Sequence, residues 1–365
     1  MKILCVIDNL GSGGAQRQLV ELVLGFKEKG HDVCFLVYHN INFYMPIVEK
    51  NNISLICIQE SNYFKRLLKM RNFIRKGKFN AVLSFLEAPN FICEITGIPY
   101  RNWKLVVGER SANPRILKSL KLRMYRWFHV FADFVVANSK TNLEIVRKVN
   151  PLLPRSKCKV IYNLIDNIFW KSTFDYIPRK NGKLKLLVVA SHQYLKNLNG
   201  LVDALSLLDN YERSKLTVEW YGDRIVGPFT NNSFLEGKRK IEILKLEDLI
   251  TFYPATNEIT QKIQEADAIG LFSFYEGLPN VVCEGMACAK PIICSKVSDV
   301  PDFLSFNKNL LCDPFNPQSI KETLSYLINL SEDQLIQIGA QNRKISKEKF
   351  NKESIISDYL ALFSK

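Results

Sequence analysis

Two carboxylates with seven residues between them, Glu276 and Glu284, bracket the stretch richest in chemistry of this 365-residue chain: Ser273-Phe274-Tyr275-Glu276-Gly277-Leu278-Pro279-Asn280-Val281-Val282-Cys283-Glu284. Helical spacing begins after Pro279, so Glu276 belongs to the loop before a helix and Glu284 to that helix's second turn. The first turn of such a helix presents backbone N–H groups without intrahelical partners, and these suit phosphate oxygens. One acid is then placed to meet a sugar and the other a ribose diol, on either side of a diphosphate. A surface loop acid and a solvated helix acid would give the same letters.

A cation for that diphosphate stands upstream. In Leu187-Val188-Val189-Ala190-Ser191-His192-Gln193-Tyr194-Leu195-Lys196-Asn197 an apolar run leads into a loop carrying Lys196, and a helical run follows from Gly200. A lysine at the carboxyl end of a strand faces the edge where parallel sheets hold ligands. Ser191 and His192 share the loop, where a lone histidine is equally an ordinary surface residue. Near the start, Gly11-Ser12-Gly13-Gly14-Ala15-Gln16 follows the first apolar run, and glycines there let backbone amides approach an anion. It is not the dinucleotide fingerprint. Gln16 stands where the third glycine belongs, and the second apolar run ends Val37-Tyr38-His39 without an acid for a ribose. No Gly-Lys-Ser/Thr follows either, which disfavours a P-loop NTPase along with a dehydrogenase.

These residues need elements to carry them. Short apolar runs predict strands at Lys2–Ile7, Val33–Tyr38, Ser54–Ile58, Ala81–Phe85, Lys104–Val107, Phe134–Ala137 and Cys158–Tyr162. Helical patterns lie between them, at Gly14–Lys29, Lys65–Arg75, Arg115–Val130 and Thr141–Val149. After an aperiodic stretch, a second set follows: Leu184–Ala190, Leu216–Tyr221, Ile250–Tyr253, Ala268–Leu271 and Pro291–Cys294. The rhythm predicts an α/β chain of two doubly wound, Rossmann-like domains with the ligand in the cleft between them. Residues 1–165 make the first domain, 166–183 a linker and 184–350 the second, and a last helical run at 351–365 is expected to return to the first.

The Glu-x7-Glu block, continued by Met286-Ala287-Cys288-Ala289-Lys290-Pro291-Ile292-Ile293, resembles the donor-site signature of the family 4, or group 1, glycosyltransferases. Gly13-Gly14-Ala15-Gln16-Arg17, Glu109-Arg110, Val136-Ala137-Asn138-Ser139, Val160–Asp166, Lys196-Asn197 and Gly222-Asp223 match in family order over about residues 2–320. The resemblance implies a GT-B fold with an acceptor-binding first domain and a donor-binding second one. It implies a nucleotide-diphospho-sugar donor, UDP- or GDP-linked, retention of anomeric configuration, and no metal or other cofactor. Lys196 would hold the diphosphate, Glu284 the ribose hydroxyls, and Glu276 the donor sugar, beside the backbone of Gly277, Leu278, Pro279, Asn280 and Val281. Many relatives carry an arginine five residues before the lysine. Here that position is Ser191, so His192 or Arg110 is expected to supply the charge. An acceptor-side histidine common in the family is also missing, and Glu87 and Asn90 stand nearby as substitutes, with Gly13 and Gly14 on the same side.

The net charge of +14 is unevenly placed: residues 1–170 hold 26 basic and 12 acidic side chains, residues 171–365 hold 24 of each. A basic half suggests a polyanion, whether nucleic acid, an anionic membrane or a phosphorylated substrate. Two clusters stand out, Lys65, Arg66, Lys69, Arg71, Arg75, Lys76 and Lys78, then Arg115, Lys118, Lys121, Arg123 and Arg126. In the second, Ile116, Leu117, Leu120, Met124, Trp127 and Phe128 share one face of a helix. Such a helix either lies on an anionic membrane or packs its apolar face on the core. The resemblance favours a polyprenyl-diphosphate-linked glycan acceptor at the inner face of the cell membrane, in cell-surface polysaccharide synthesis. Neither a signal peptide nor an apolar run of membrane-spanning length is evident, and nine cysteines without a C-x-x-C pair fit a reducing cytoplasm. A nucleotide-sugar epimerase of the same architecture is the competing enzyme. A nucleic-acid-binding protein is disfavoured, because no helix-turn-helix, zinc-finger or RRM signature is present.

Overall fold

The computed structural model describes residues 1–166, 170, 182–223 and 232–364. Most of the expected linker therefore lies outside the described residues. The chain forms two compact units, one of Met1–Leu164 with Asn351–Lys365 and one of Ile165–Phe350.

The first unit holds a sheet of β1 (Lys2–Val6), β2 (Asp32–Val37), β3 (Ser54–Cys57), β4 (Ala81–Phe85), β5 (Lys104–Glu109), β6 (Phe134–Ala137) and β7 (Cys158–Val160). All pairings are parallel, in the order β3-β2-β1-β4-β5-β6-β7. Cys5 of β1 lies opposite Phe35 of β2 and Leu83 of β4. Near-continuous apolar runs suit a sheet covered on both faces, and apolar clusters lie on each side of it. The order reverses between β1 and β4, so the crevice at their carboxyl ends is where this sheet can hold a ligand. The Gly13-Gly14 turn follows β1 there, and Glu87 follows β4.

The second unit repeats the plan with β8 (Leu184–Val189), β9 (Leu216–Tyr221), β10 (Ile250–Tyr253), β11 (Ala268–Leu271), β12 (Ile292–Ser295) and β13 (Leu311–Cys312), in the order β10-β9-β8-β11-β12-β13. Val188 lies opposite Trp220 and Gly270, which fixes the register of the three central strands. Its switch point falls between β8 and β11. Lys196 follows the first of these strands and Glu276 the second.

The last helix, Lys352–Ser364, belongs to the first unit. It packs so closely on helix Gly14–Glu28 that a Cβ at Gly25 would overlap Ile356, and Phe26 meets the rings of Tyr359 and Phe363 at 6.4 and 5.6 Å. Ion pairs Lys29–Glu353 and Lys352–Glu28 flank the contact.

One expectation of the fold fails. Residues 115–130 are not one helix but a 3-10 turn at Pro114–Leu117, a helix at Leu120–Trp127 and a second 3-10 turn at Phe128–Phe131. The Ser119 hydroxyl accepts from the Leu122 amide, so a new helix starts there instead of the old one continuing. Strand β13 was not foreseen, since two residues carry no alternation to read. No described helix is long and apolar enough to cross a membrane.

Candidate active site

The chemistry of the second unit gathers at the carboxyl ends of β8 and β11. Lys196 closes a 3-10 turn, and Asn197 then adopts φ +59°, a left-handed conformation that asparagine tolerates, to start helix Leu198–Ser206. The Asn197 side chain accepts from the Gly200 amide and donates to the Pro314 carbonyl, which pins the loop at both ends. The Phe274 amide donates to the Leu195 carbonyl at 2.9 Å, tying the lysine loop directly to the glutamate loop. Across this tie Lys196 Nζ meets Glu276 Oε1 at 2.5 Å, and the Ser273 hydroxyl donates to the same oxygen at 2.7 Å. Ser273 is held in turn by Ser295 of β12, whose hydroxyl donates to the Ser273 carbonyl.

Helix Asn280–Ala287 begins after Pro279, a residue with no side-chain group to cap it. Gly277 is braced by a hydrogen bond from the Ser298 hydroxyl to its carbonyl, and Leu278 and Pro279 are buried beside it. Glu284 is only 2% exposed, on a helix whose every residue from Val281 to Ala287 is buried. That rules out a solvated surface acid. Gly285 permits this depth: a Cβ there would stand 2.7 Å from Ile292 and 2.8 Å from Ile269. The helix can therefore seat its N-terminus and Glu284 close upon β11 and β12.

His192 does not fit the role expected of it. Its ring is enclosed by Trp220, Phe234 and Phe252, at centroid distances of 5.8, 4.1 and 5.6 Å, so it belongs to an aromatic core cluster and is not presented to a diphosphate. Ser191 is half-buried at the mouth of the same loop. Gly222, at the end of β9, is required beside it, because a Cβ would collide with the Ala190 carbonyl.

In the first unit, Gly13 and Gly14 lie in an exposed turn at the start of helix Gly14–Glu28. Gln16 closes the turn by donating to Asp8 at the end of β1, whose carboxyl is pushed up by burial. Glu87 opens helix Glu87–Thr96 at the end of β4 and is partly exposed. Asn90 is a correction. It is 1% exposed, its carbonyl oxygen accepts from Ser84, and its amide donates to Gly108. It ties β4 to β5 inside the fold and reaches no acceptor. Arg110 is likewise engaged, donating to Asn163 and to the Tyr359 hydroxyl at 2.6 Å and lying over the Phe85 ring.

The basic clusters are less open than their letters suggest. Arg71 and Arg75 are spent on the carbonyls of Ile95, Thr96, Ile98 and Tyr100, and Lys69 pairs with Glu60. Arg126, counted on the solvated side of its helix, points inward to Glu109 and Glu87. Glu94 and His129 were missed from sequence, and Ser273 and Arg126 were seen without their partners. A histidine and an arginine next to apolar residues that would otherwise form the core face are a signal of buried pairing, but their partners lie too far along the chain to be read.

Two doubly wound units, the second with Lys196 paired to Glu276 at its switch point and Glu284 buried in the helix that follows, have the architecture of a GT-B glycosyltransferase. The comparisons agree. The family profile "Glycosyltransferase Family 4" matches residues 12–167 and "Glycosyl transferases group 1" residues 172–344. The chain belongs to this glycosyltransferase family. It is 24% identical to the N-acetylgalactosamine-N,N'-diacetylbacillosaminyl-diphospho-undecaprenol 4-alpha-N-acetylgalactosaminyltransferase of Campylobacter jejuni, over 97% of each chain. It is 23% identical to an uncharacterized glycosyltransferase of Haemophilus influenzae, over 98% of each. Among solved structures, Anabaena HepE in complex with UDP and glucose shares the fold with a TM-score of 0.85 at 18% identity, covering 100% of this chain and 99% of that one.

Proposed function

We propose that this glycosyltransferase moves a sugar from a UDP- or GDP-sugar to a hydroxyl of a polyprenyl-diphosphate-linked glycan, with retention and without a metal, during cell-surface polysaccharide synthesis. The observation that carries the reading is the Lys196–Glu276 pair beside the start of helix Asn280–Ala287, with Glu284 buried in that helix. Lys196 takes the diphosphate, Glu276 the donor sugar's hydroxyls and Glu284 the ribose, with the backbone of Gly277 to Val281 alongside.

The physics follows from where charge develops. As the bond from the anomeric carbon to the leaving diphosphate breaks, negative charge concentrates on the phosphate oxygens. A fixed ammonium and helix N–H groups stabilise that charge more in the transition state than in the ground state. The acceptor hydroxyl attacks from the face the diphosphate leaves and passes its proton to the departing phosphate oxygen, and we assign Glu87 to acceptor binding in the first unit. The lipid-linked acceptor named for the Campylobacter relative supports the choice of acceptor class.

An exposed segment that is both apolar and basic supports the same reading. Leu117, Leu120 and Trp127 are exposed, Leu120 at 76%, on the segment that also exposes Arg115, Lys118 and Lys121. Apolar side chains standing among cations suit an anionic lipid surface, and we place the enzyme on the inner face of the membrane.

A panel of nucleotide sugars tests the donor half. One donor should show slow nucleotide release that a lipid-linked glycan accelerates, with the anomeric configuration of the product unchanged. Interconversion of the donor sugar without any acceptor would make the chain an epimerase instead.

A further inference from the structure

The first unit buries a chain of charges that the donor site does not use. Glu94 of helix Glu87–Thr96 meets His129 Nδ1 at 2.6 Å, and His129 Nε2 meets one oxygen of Glu109 at 2.9 Å. The other oxygen of Glu109, the last residue of β5, meets Arg126 at 2.8 Å, and the same guanidinium nitrogen reaches Glu87 at 3.1 Å. Glu94, His129, Glu109 and Arg126 are all 2% exposed or less, whereas the Glu87 side chain is 29% exposed. The chain of contacts has one end at solvent, and that end is the carboxylate at the β1–β4 crevice.

Stability alone does not account for this arrangement. Removing paired ions from water carries a large desolvation cost, and apolar side chains of similar volume commonly do as well or better. What the network provides is direction. Each oxygen of Glu109 is assigned to a different cation, so Arg126 has one place to sit and Glu87 one place to be held. The backbone contributes as well: Leu86, immediately before Glu87, holds φ +77°, a conformation that leucine rarely adopts.

We propose that Arg126 is a positioning residue for glycosyl transfer, fixing the Glu87 carboxylate where the acceptor hydroxyl arrives, with Glu109, His129 and Glu94 holding Arg126 in turn. The inference rests on the reading of Glu87 as an acceptor-side group. Arg126 touches no substrate and acts through Glu87.

A double-mutant cycle tests it, using Glu87→Ala, Arg126→Lys and the combined variant with the donor and acceptor found by the panel. Glu87→Ala should lower kcat or raise the acceptor KM roughly 10–100-fold, while affinity for the nucleoside diphosphate stays unchanged. Arg126→Lys should give part of that loss on its own and none in the Glu87→Ala background. Equal losses in both backgrounds, or full turnover from Arg126→Lys, would overturn the positioning role and leave Glu87 in place. Wild-type acceptor kinetics for Glu87→Ala would remove Glu87 from the acceptor side, and Arg126's role with it. Should Arg126→Lys not fold, His129→Gln enters the network from its far end. It should show a smaller loss that again vanishes in the Glu87→Ala background, and an equal loss in both overturns the role.

Discussion

Lys196 and Glu276 pair across 2.5 Å, so in the proposed reaction the diphosphate competes with the carboxylate for the lysine's N–H groups. The exchange suits the proposed reaction, because Glu276 is then released to accept from sugar hydroxyls. Lys196→Ala is expected to lower kcat by roughly 100–1,000-fold, the scale of losing one preorganised charge-stabilising donor. Steady-state kinetics with the identified donor would show it, and near-wild-type turnover would remove Lys196 from the role. Glu284→Gln should act differently, weakening nucleoside-diphosphate binding about 10–100-fold in a calorimetric titration, since hydrogen bonds to charged groups are worth about 1.5–3 kcal/mol. The places of these three residues in the fold were legible because a strand, a loop and a helix start are local patterns. His192 was misread for the opposite reason: Trp220, Phe234 and Phe252, which enclose it, lie far along the chain and only folding brings them together.

The element whose reading changed most is the segment around helix Leu120–Trp127. Its letters predicted one long amphipathic helix with arginines outside, yet Ser119 restarts it, Arg126 turns in, and Leu120 and Trp127 turn out. A helical wheel places faces but cannot say which face meets the core, and here a buried carboxylate claimed the arginine. The exposed residues yield a prediction. Leu120→Asp combined with Trp127→Asp should abolish low-salt flotation with anionic vesicles while nucleoside-diphosphate binding is kept. Vesicle binding that survives the pair would move the lipid contact elsewhere. Most strands were readable because buried parallel strands are continuous Val, Ile and Leu runs. The two-residue β13 was not, for want of length.

At the scale of the whole molecule, the charge excess of the first half sharpens into several separate uses: arginines closing carbonyl ends, Arg126 in the core, and a remainder exposed beside apolar side chains. The buried part gives the protein a pH dependence. Burial disfavours the His129 imidazolium, but Glu94 and Glu109 outweigh it and lift His129 to about 9. A histidine raised in the folded state contributes stability that is fully present below its ordinary value of about 6.5 and is lost as pH rises through about 9. Burial also pushes Glu94 up, which acts in the same direction. Thermal melting should therefore fall between about pH 6.5 and about pH 9, level off above that, and fall less in His129→Gln. An equal fall in both proteins would show that His129 does not carry it. Tyr359→Ala, which removes a fully buried ring and leaves Arg110 without that partner, should cost about 3–5 kcal/mol by denaturant titration.

The same tyrosine sits on a helix that is synthesised after the whole of the second unit. Ile355, Ile356, Tyr359, Leu362 and Phe363 belong to the apolar cluster of the first unit, together with Ile3, Cys5 and Leu19. A ribosome must finish the whole of the second unit before it delivers them, which at about 5–20 residues per second takes roughly 10–40 s. For that interval the nascent first unit exposes the groove along Val23 and Phe26 that its own last helix will fill.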